Sequence, residues 1–140
     1  MGRTRSFNQA DVVAIAANTF LCTGYEATSI DDLVDATGVH RGSLYKAFGS
    51  KRGLFLLALE QVFEGAGSTS DMAALDLALV ALLELAPRDA AVRDRVTTFV
   101  STLPDDPVHV LGTRLLLRAG IAVLPTRSQD GRRSNERPSR

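Results

Sequence analysis

The sequence predicts an all-α fold: an N-terminal three-helix unit containing a helix-turn-helix, then a connecting helix, then an abbreviated helical C-terminal domain. Three observations predict it. Apolar residues recur at three- and four-residue intervals along successive segments. Nowhere do apolar and polar residues alternate in a run that reads as a strand. Glycine, proline and short capping residues fall where each periodic segment stops and the next begins. Of the 140 residues, 45% are hydrophobic and 23% charged, enough apolar material for one packed core. The length excludes an α/β barrel or a two-domain enzyme.

The first helix starts near Asn8, where Val13, Ala16, Ala17, Phe20 and Leu21 share one face, and it stops at Gly24. Thr28-Ser29-Ile30-Asp31-Asp32 carries a start signal for a short helix over 29–36, with its acids in the turn where a helix favours negative charge. That helix buries Ile30, Leu33 and Val34. Thr37-Gly38-Val39 breaks the chain before a second short helix over 40–48, whose Leu44 and Phe48 lie one turn apart. After Gly49, Ser50 caps a connecting helix with Phe55, Ala58, Leu59, Val62 and Phe63 on its stripe, ending near Glu64. Residues 65–70 read as a loop and a domain boundary. The segment 71–86 is apolar all round except at Asp71, Asp76 and Glu84, the pattern of a helix buried on most sides, and Pro87 stops it. Asp89 caps a helix with Val92, Val96, Phe99, Val100 and Leu103. Pro104-Asp105-Asp106-Pro107 turns the chain, and Val108, Leu111, Leu115, Leu116 and Ala119 mark a last helix. Residues 126–140 hold no strongly apolar side chain and read as a disordered tail.

Several function classes fall away. The longest apolar run, between Asp76 and Glu84, is seven residues, against the roughly 20 of a membrane span, so no membrane association is expected. Arg3 and Arg5 are followed by polar residues and not by the apolar core of a signal peptide. One cysteine, Cys22, cannot form an intramolecular disulfide and fits a cytoplasmic chain; near the end of an apolar helix it reads as a core residue. His40 and His109 have no metal-ligand partners at helical spacing. No Ser/His/Asp set, carboxylate pair or glycine-rich phosphate loop is present, so neither an enzyme nor a cofactor is expected.

The formal net charge is zero, but it is unevenly spread. Residues 1–35 carry two bases and five acids. Residues 36–59 carry Arg41, Lys46, Lys51 and Arg52 and no acid; 60–125 are again acidic, and 126–140 basic. The helix, glycine-bearing turn and second helix over 29–48 are the elements with which a helix-turn-helix enters a major groove, and the acid-free block coincides with the second of these helices and the start of the helix that follows. Arg41 opens one helix and Lys51-Arg52 the next, in first turns where the helix dipole disfavours cations by roughly 0.3–1 kcal/mol. Cations so placed call for an anion, which a phosphate backbone supplies. Tyr45 stands between Arg41 and Lys46, and its hydroxyl is expected to face out because Leu44 and Phe48 mark the buried side.

Gly24-Tyr25-x-x-Thr28-Ser29-Ile30-x-x-Leu33, followed by Gly38-Val39-x-x-Gly42-Ser43-Leu44-Tyr45-x-x-Phe48-x-Ser50-Lys51-x-x-Leu54, resembles the DNA-binding domain of TetR-family bacterial transcriptional regulators over about residues 7–64. The resemblance implies a homodimer that binds double-stranded DNA at a palindromic operator, usually represses, and is released by a small ligand held in its C-terminal helices. It places Arg41, Gly42, Lys46 and Ala47 at base edges and Thr28, Ser43, Tyr45 and Lys51 at phosphates. It divides the chain into a flexible basic arm over 1–6 that adds minor-groove contacts through Arg3 and Arg5, a DNA-binding domain with its connecting helix over 7–64, a partial effector and dimerisation domain over 65–125, and the tail.

The sequence departs from the family pattern at three places. His40 stands where many members have a serine N-cap, so the helix start is either less firmly capped or His40 itself meets a phosphate. Gly42 removes a side chain from the groove-facing surface and leaves Arg41 as the evident guanine reader. The helical sequence after the boundary is shorter than the family's effector domain, so a short or C-terminally truncated member is expected, with or without ligand response. An apolar pocket between the later helices would suit a hydrophobic effector, but leucines and alanines at that spacing are also simply core, and no ligand residue is singled out. A different class stays open as well: an all-helical interaction protein that dimerises through 71–86. The helix-turn-helix pattern with Tyr45 and Lys51 disfavours it.

Overall fold

The computed structural model describes residues 6–66 and 71–123; most of the expected basic arm and the whole polar tail lie outside the described residues. Among the described residues the chain forms seven helices and no strand: α1 (Gln9–Thr23), α2 (Ile30–Thr37), α3 (Arg41–Phe48), α4 (Lys51–Ala66), α5 (Met72–Glu84), α6 (Ala90–Val100) and α7 (Pro107–Arg118). The all-α expectation is met.

Local chemistry sets the helix ends. Asn8, Ser29, Asp71, Asp89 and Asp106 each accept a backbone N–H from the first turn of the helix they precede. Gly24 closes α1 with φ +92°, and Gly38 closes α2 in the left-handed region at φ +70°, a conformation costly to any residue with a Cβ. The connecting helix runs on through Gly65 and Ala66, which the sequence reads as loop, because Ala66 is buried against Ala74, Leu75 and Phe99. The sixth helix stops at Val100, and Leu103 reaches the same cluster from the turn that follows.

The core forms where α1 packs along α4 and both meet α5. Phe20, Tyr25 and Phe55 interlock at its centre, with ring centroids 5.0–5.8 Å apart and two of the three pairs edge-to-face. Leu33 from α2, Leu44 and Phe48 from α3, Leu77 from α5 and Val92 from α6 pack into the same cluster. Ala74 to Ala81 of α5 form an unbroken buried stretch, as its all-round apolar sequence requires. Cys22, expected in the core, is exposed. It lies two positions beyond the buried Phe20, about 200° further round the helix and so off its buried face.

The last helix forms where the sequence places it, but it packs loosely. No residue of α7 is buried; Val108 is 79% exposed, and Leu115 and Leu116 face solvent. Only Val110 and Leu111 reach the cluster around Phe99. Charge holds the helix instead. Asp76, a buried carboxylate on α5, accepts two 2.6 Å hydrogen bonds from Arg114, and Arg118 approaches it at 3.5 Å. The Arg114 guanidinium holds the Asp76 carboxyl below its ordinary range. Arg118 also donates to the Leu21 carbonyl of α1.

Gly24 sits beneath this assembly, where a Cβ would lie 2.6 Å from Glu84 Oε1. The other oxygen of that carboxylate accepts the Glu26 N–H at 2.7 Å, tying the α1–α2 junction to α5. Gly24→Ala combines the positive φ with this encroachment and is expected to destabilise the fold by about 1–3 kcal/mol. Gly65→Ala, in open space on α4, is expected to stabilise it by up to about 1 kcal/mol. Urea denaturation of both variants checks the two signs together.

Candidate nucleic-acid interface

The site is built on the junction of α2 and α3. The capping box at the start of α2 pairs the Ser29 hydroxyl with the Asp32 N–H at 3.0 Å, while the Asp32 carboxylate accepts the Ser29 N–H at 2.7 Å. These bonds, led by that from the Ser29 hydroxyl, keep the Asp32 carboxyl below its ordinary range. At the other end of α2 the Thr37 hydroxyl donates to the Leu33 carbonyl and accepts the Val39 N–H, bracing the turn on both sides of Gly38. Val39 is buried, so the turn has an apolar anchor between the two helices.

Leu44 and Phe48 seat α3 in the core, which fixes what points outward. Arg41, Gly42, Tyr45 and Lys46 are exposed, with Tyr45 at 43%; Ser43 and Ala47 are half-buried along the flanks. The outward Tyr45 agrees with the sequence reading. His40 makes no capping bond, so the first N–H groups of α3 have no side-chain acceptor at its start. A cationic, tyrosine-bearing helix face with open N–H groups at one end can accept an anion or the edge of a polar heterocycle.

Three residues assigned to anions behave differently. Thr28 is completely buried and its hydroxyl donates to the Gly24 carbonyl at 2.6 Å, so its side chain is not on the surface a phosphate could reach. The Lys51 ammonium donates to the Tyr25 and Thr28 carbonyls, both at 3.0 Å, and lies 4.3 Å from the Tyr25 ring centroid. Two of its three donors therefore hold the α1–α2 connection against α4. Arg52 meets Asp89 through two hydrogen bonds of 2.5 and 2.9 Å. The start of α4 thus draws its counter-charge from within the chain, from two backbone carbonyls and the carboxylate that caps α6. Arg41 also has an internal partner, since its guanidinium pairs with Asp31 in the first turn of α2, with both side chains more than half exposed.

Sequence reasoning missed Asp31, Asp89 and the Tyr25 ring as partners. Only the placement of an acid outside the acid-free block hinted at them, because the pairs are separated by 10 to 37 residues.

Residues 12–58 match the family described as Bacterial regulatory proteins, tetR family. That match lies within α1 to α4, the N-terminal head of the chain. The chain is 45% identical over 65 residues to the uncharacterized HTH-type transcriptional regulator YezE of Bacillus subtilis (strain 168), a match that covers 46% of this chain and 34% of that protein. Against the HTH-type transcriptional repressor ComR of Escherichia coli (strain K12) the identity is 40% over 63 residues, 45% of this chain and 30% of the repressor. The HTH-type transcriptional repressor BdcR of the same strain is 38% identical over 60 residues, 43% of this chain and 30% of that protein. The chain therefore spans about a third of the length of each of these relatives.

Elsewhere the described surface offers open clefts. One of about 290 Å³ lies between α4 and α6, walled by the stacked rings of Phe63 and Phe99, 4.2 Å apart, with Glu60, Glu64 and Arg95 at its rim. No group of three or more histidine, cysteine or acidic residues among the described residues could hold a metal ion, and no described helix is long and apolar enough to cross a membrane.

The Arg52–Asp89 link makes a pH prediction. Hydrogen bonding to Arg52 first, and to the Val92 and Ala91 N–H groups, lowers the Asp89 carboxyl to about 2, below the roughly 3.9 of an unfolded aspartate. Its stabilising contribution is complete above about pH 4 and is lost as the pH falls toward 2. Asp89→Asn is therefore expected to flatten the acid limb of the stability curve, measured by urea denaturation at stepped pH between 5 and 2.

Proposed function

We propose that this chain is a sequence-specific DNA-binding transcriptional regulator and not an enzyme, acting in the cytoplasm as a repressor that occupies its operator. The observation that carries this reading is the outer face of α3. Arg41, Gly42, Tyr45 and Lys46 are presented together by a helix seated on Leu44 and Phe48, and no acid lies on that helix. The family of the head and the repressor names of two relatives support it.

In the proposed complex α3 lies in the major groove. Arg41 pairs with guanine O6 and N7, Lys46 takes a neighbouring acceptor, and Ala47 touches a thymine methyl. The absence of a side chain at Gly42 lets the helix approach the groove floor. Ser43, Tyr45 and the open N–H groups after His40 hold phosphates on either side. Lys51 acts mainly from behind, keeping the Tyr25–Thr28 turn and hence α2 in register with α4, and Thr28 supports the same turn from inside. Two copies reading two halves of a palindrome would double this contact set, and a small hydrophobic molecule bound among the later helices would release it.

Fluorescence anisotropy with the DNA upstream of the protein's own gene tests the reading. Binding is expected to be tight and steeply salt-dependent. Arg41→Ala is expected to weaken it by about 1–3 kcal/mol and to relax preference at one base position, whereas Tyr45→Phe is expected to weaken all sequences alike. Equal, weak, salt-insensitive binding by the wild type and Arg41→Ala would overturn the reading.

A further inference from the structure

We propose that Asp31 is a specificity-determining residue that acts through Arg41: by holding one edge of the guanidinium, it aims the free edge at a base and suppresses binding to DNA that offers only phosphates. This rests on the DNA-reading role of α3 proposed above and extends it to a residue outside that helix.

Asp31 lies in the first turn of α2, beside the capping box but not part of it. Asp32 makes both capping bonds with Ser29, and Asp31 accepts no backbone N–H among the described residues. Its one hydrogen-bond partner there is Nη2 of Arg41, and among the described residues Arg41 has no other. The carboxylate is 73% exposed and the guanidinium 55%, so the pair stands on the surface and not in the core, and the fold does not need it for packing. It also spans the glycine turn, joining the start of α2 to the start of α3.

A guanidinium has five N–H donors, and Asp31 engages one, which leaves a second edge with the two parallel donors that guanine O6 and N7 accept. A side chain as long as arginine otherwise samples many rotamers, so a partner that fixes one edge reduces what is lost on docking the other. The two kinds of DNA contact differ in what they ask of Asp31. Guanine is uncharged, and Arg41 can read it while the carboxylate keeps its hold. A phosphate is an anion, so it competes with Asp31 for the same cation and is repelled by the carboxylate that remains. Asp31 therefore lowers non-specific affinity more than specific affinity, and the ratio between them rises.

The test needs no known operator. Wild-type protein, Asp31→Asn and Asp31→Glu each select from a pool of duplexes with a randomised centre, and each is titrated separately against unselected duplex at stepped salt. Asp31→Asn is expected to bind unselected duplex about three- to tenfold more tightly near 0.1 M salt, with a log–log salt slope steeper by about one. It is also expected to enrich a motif with weaker guanine preference at the Arg41 position. Asp31→Glu, which can still reach the guanidinium, should restore the wild-type motif. Circular dichroism monitors folding, and Asp31→Ser repeats the comparison with a smaller side chain. In an Arg41→Ala background, Asp31→Asn should leave the selected motif unchanged. If Asp31→Asn selects as strongly as the wild type, or if its effect persists undiminished without Arg41, the proposed role of Asp31 is overturned while the reading of α3 stands. If the wild type enriches no motif, the DNA-reading assignment itself falls, and this inference with it.

Discussion

Three rings at the centre of the molecule set the position of everything else. Phe20 from α1, Tyr25 from the following turn and Phe55 from α4 interlock within 6 Å of one another, and every helix from α1 to α6 sends at least one buried residue into the cluster around them. Losing a buried phenylalanine typically costs 3–5 kcal/mol, a large part of the roughly 5–15 kcal/mol that holds a domain together. Helix α3 is only eight residues long, too short to be stable alone in water, so its shape and its placement both come from this packing. What α3 shows to solvent follows from which of its residues the aromatic cluster takes in.

The charges divide along the same line. The acid-free block over 36–59 invites the view that all four of its cations seek an external anion, and at helix starts that view has a sound electrostatic basis. Lys51 and Arg52, however, meet partners inside the chain: the Tyr25 and Thr28 carbonyls and the Tyr25 ring for one, Asp89 for the other. The remaining cations of the block, Arg41 and Lys46, belong to α3. Lys51 and Arg52 use their charge to fix helix positions, and the positive surface of the head is consequently narrower than the sequence implies. A small cationic face suits the sequence-specific role proposed for α3, because broad positive surfaces bind polyanions without regard to sequence.

Much of the fold was legible because its signals are local. Ser29 with Asp32, Gly38 after Thr37, and Leu44 with Phe48 each lie within one or two turns of each other, so spacing alone places two helices and the turn between them. Of the candidate site, the outward face of α3 was legible for the same reason. Thr28 was not, because nothing nearby in sequence shows that its hydroxyl faces inward to Gly24. Cys22 was misplaced because the apolar stripe of α1 is narrow, and two steps along it already reach solvent. The last helix forms where its spacing places it, but what holds it was not legible: its partner is Asp76, 38 positions back on α5, and no periodicity links a buried acid to Arg114.

That clamp gives the molecule an uneven energetic structure. Removing Asp76 would strand two arginines, yet the rest of α7 buries little, so its detachment exposes far less apolar surface than opening α1 against α4. Units of this kind open on their own, at a free energy well below that of global unfolding. The ions that loosen protein–DNA contacts also weaken a partly exposed ion pair. If α3 reads DNA as proposed, salt acts on this chain at two distant places through one physical effect, and amide exchange along α7 would record a breathing motion that the aromatic centre does not share.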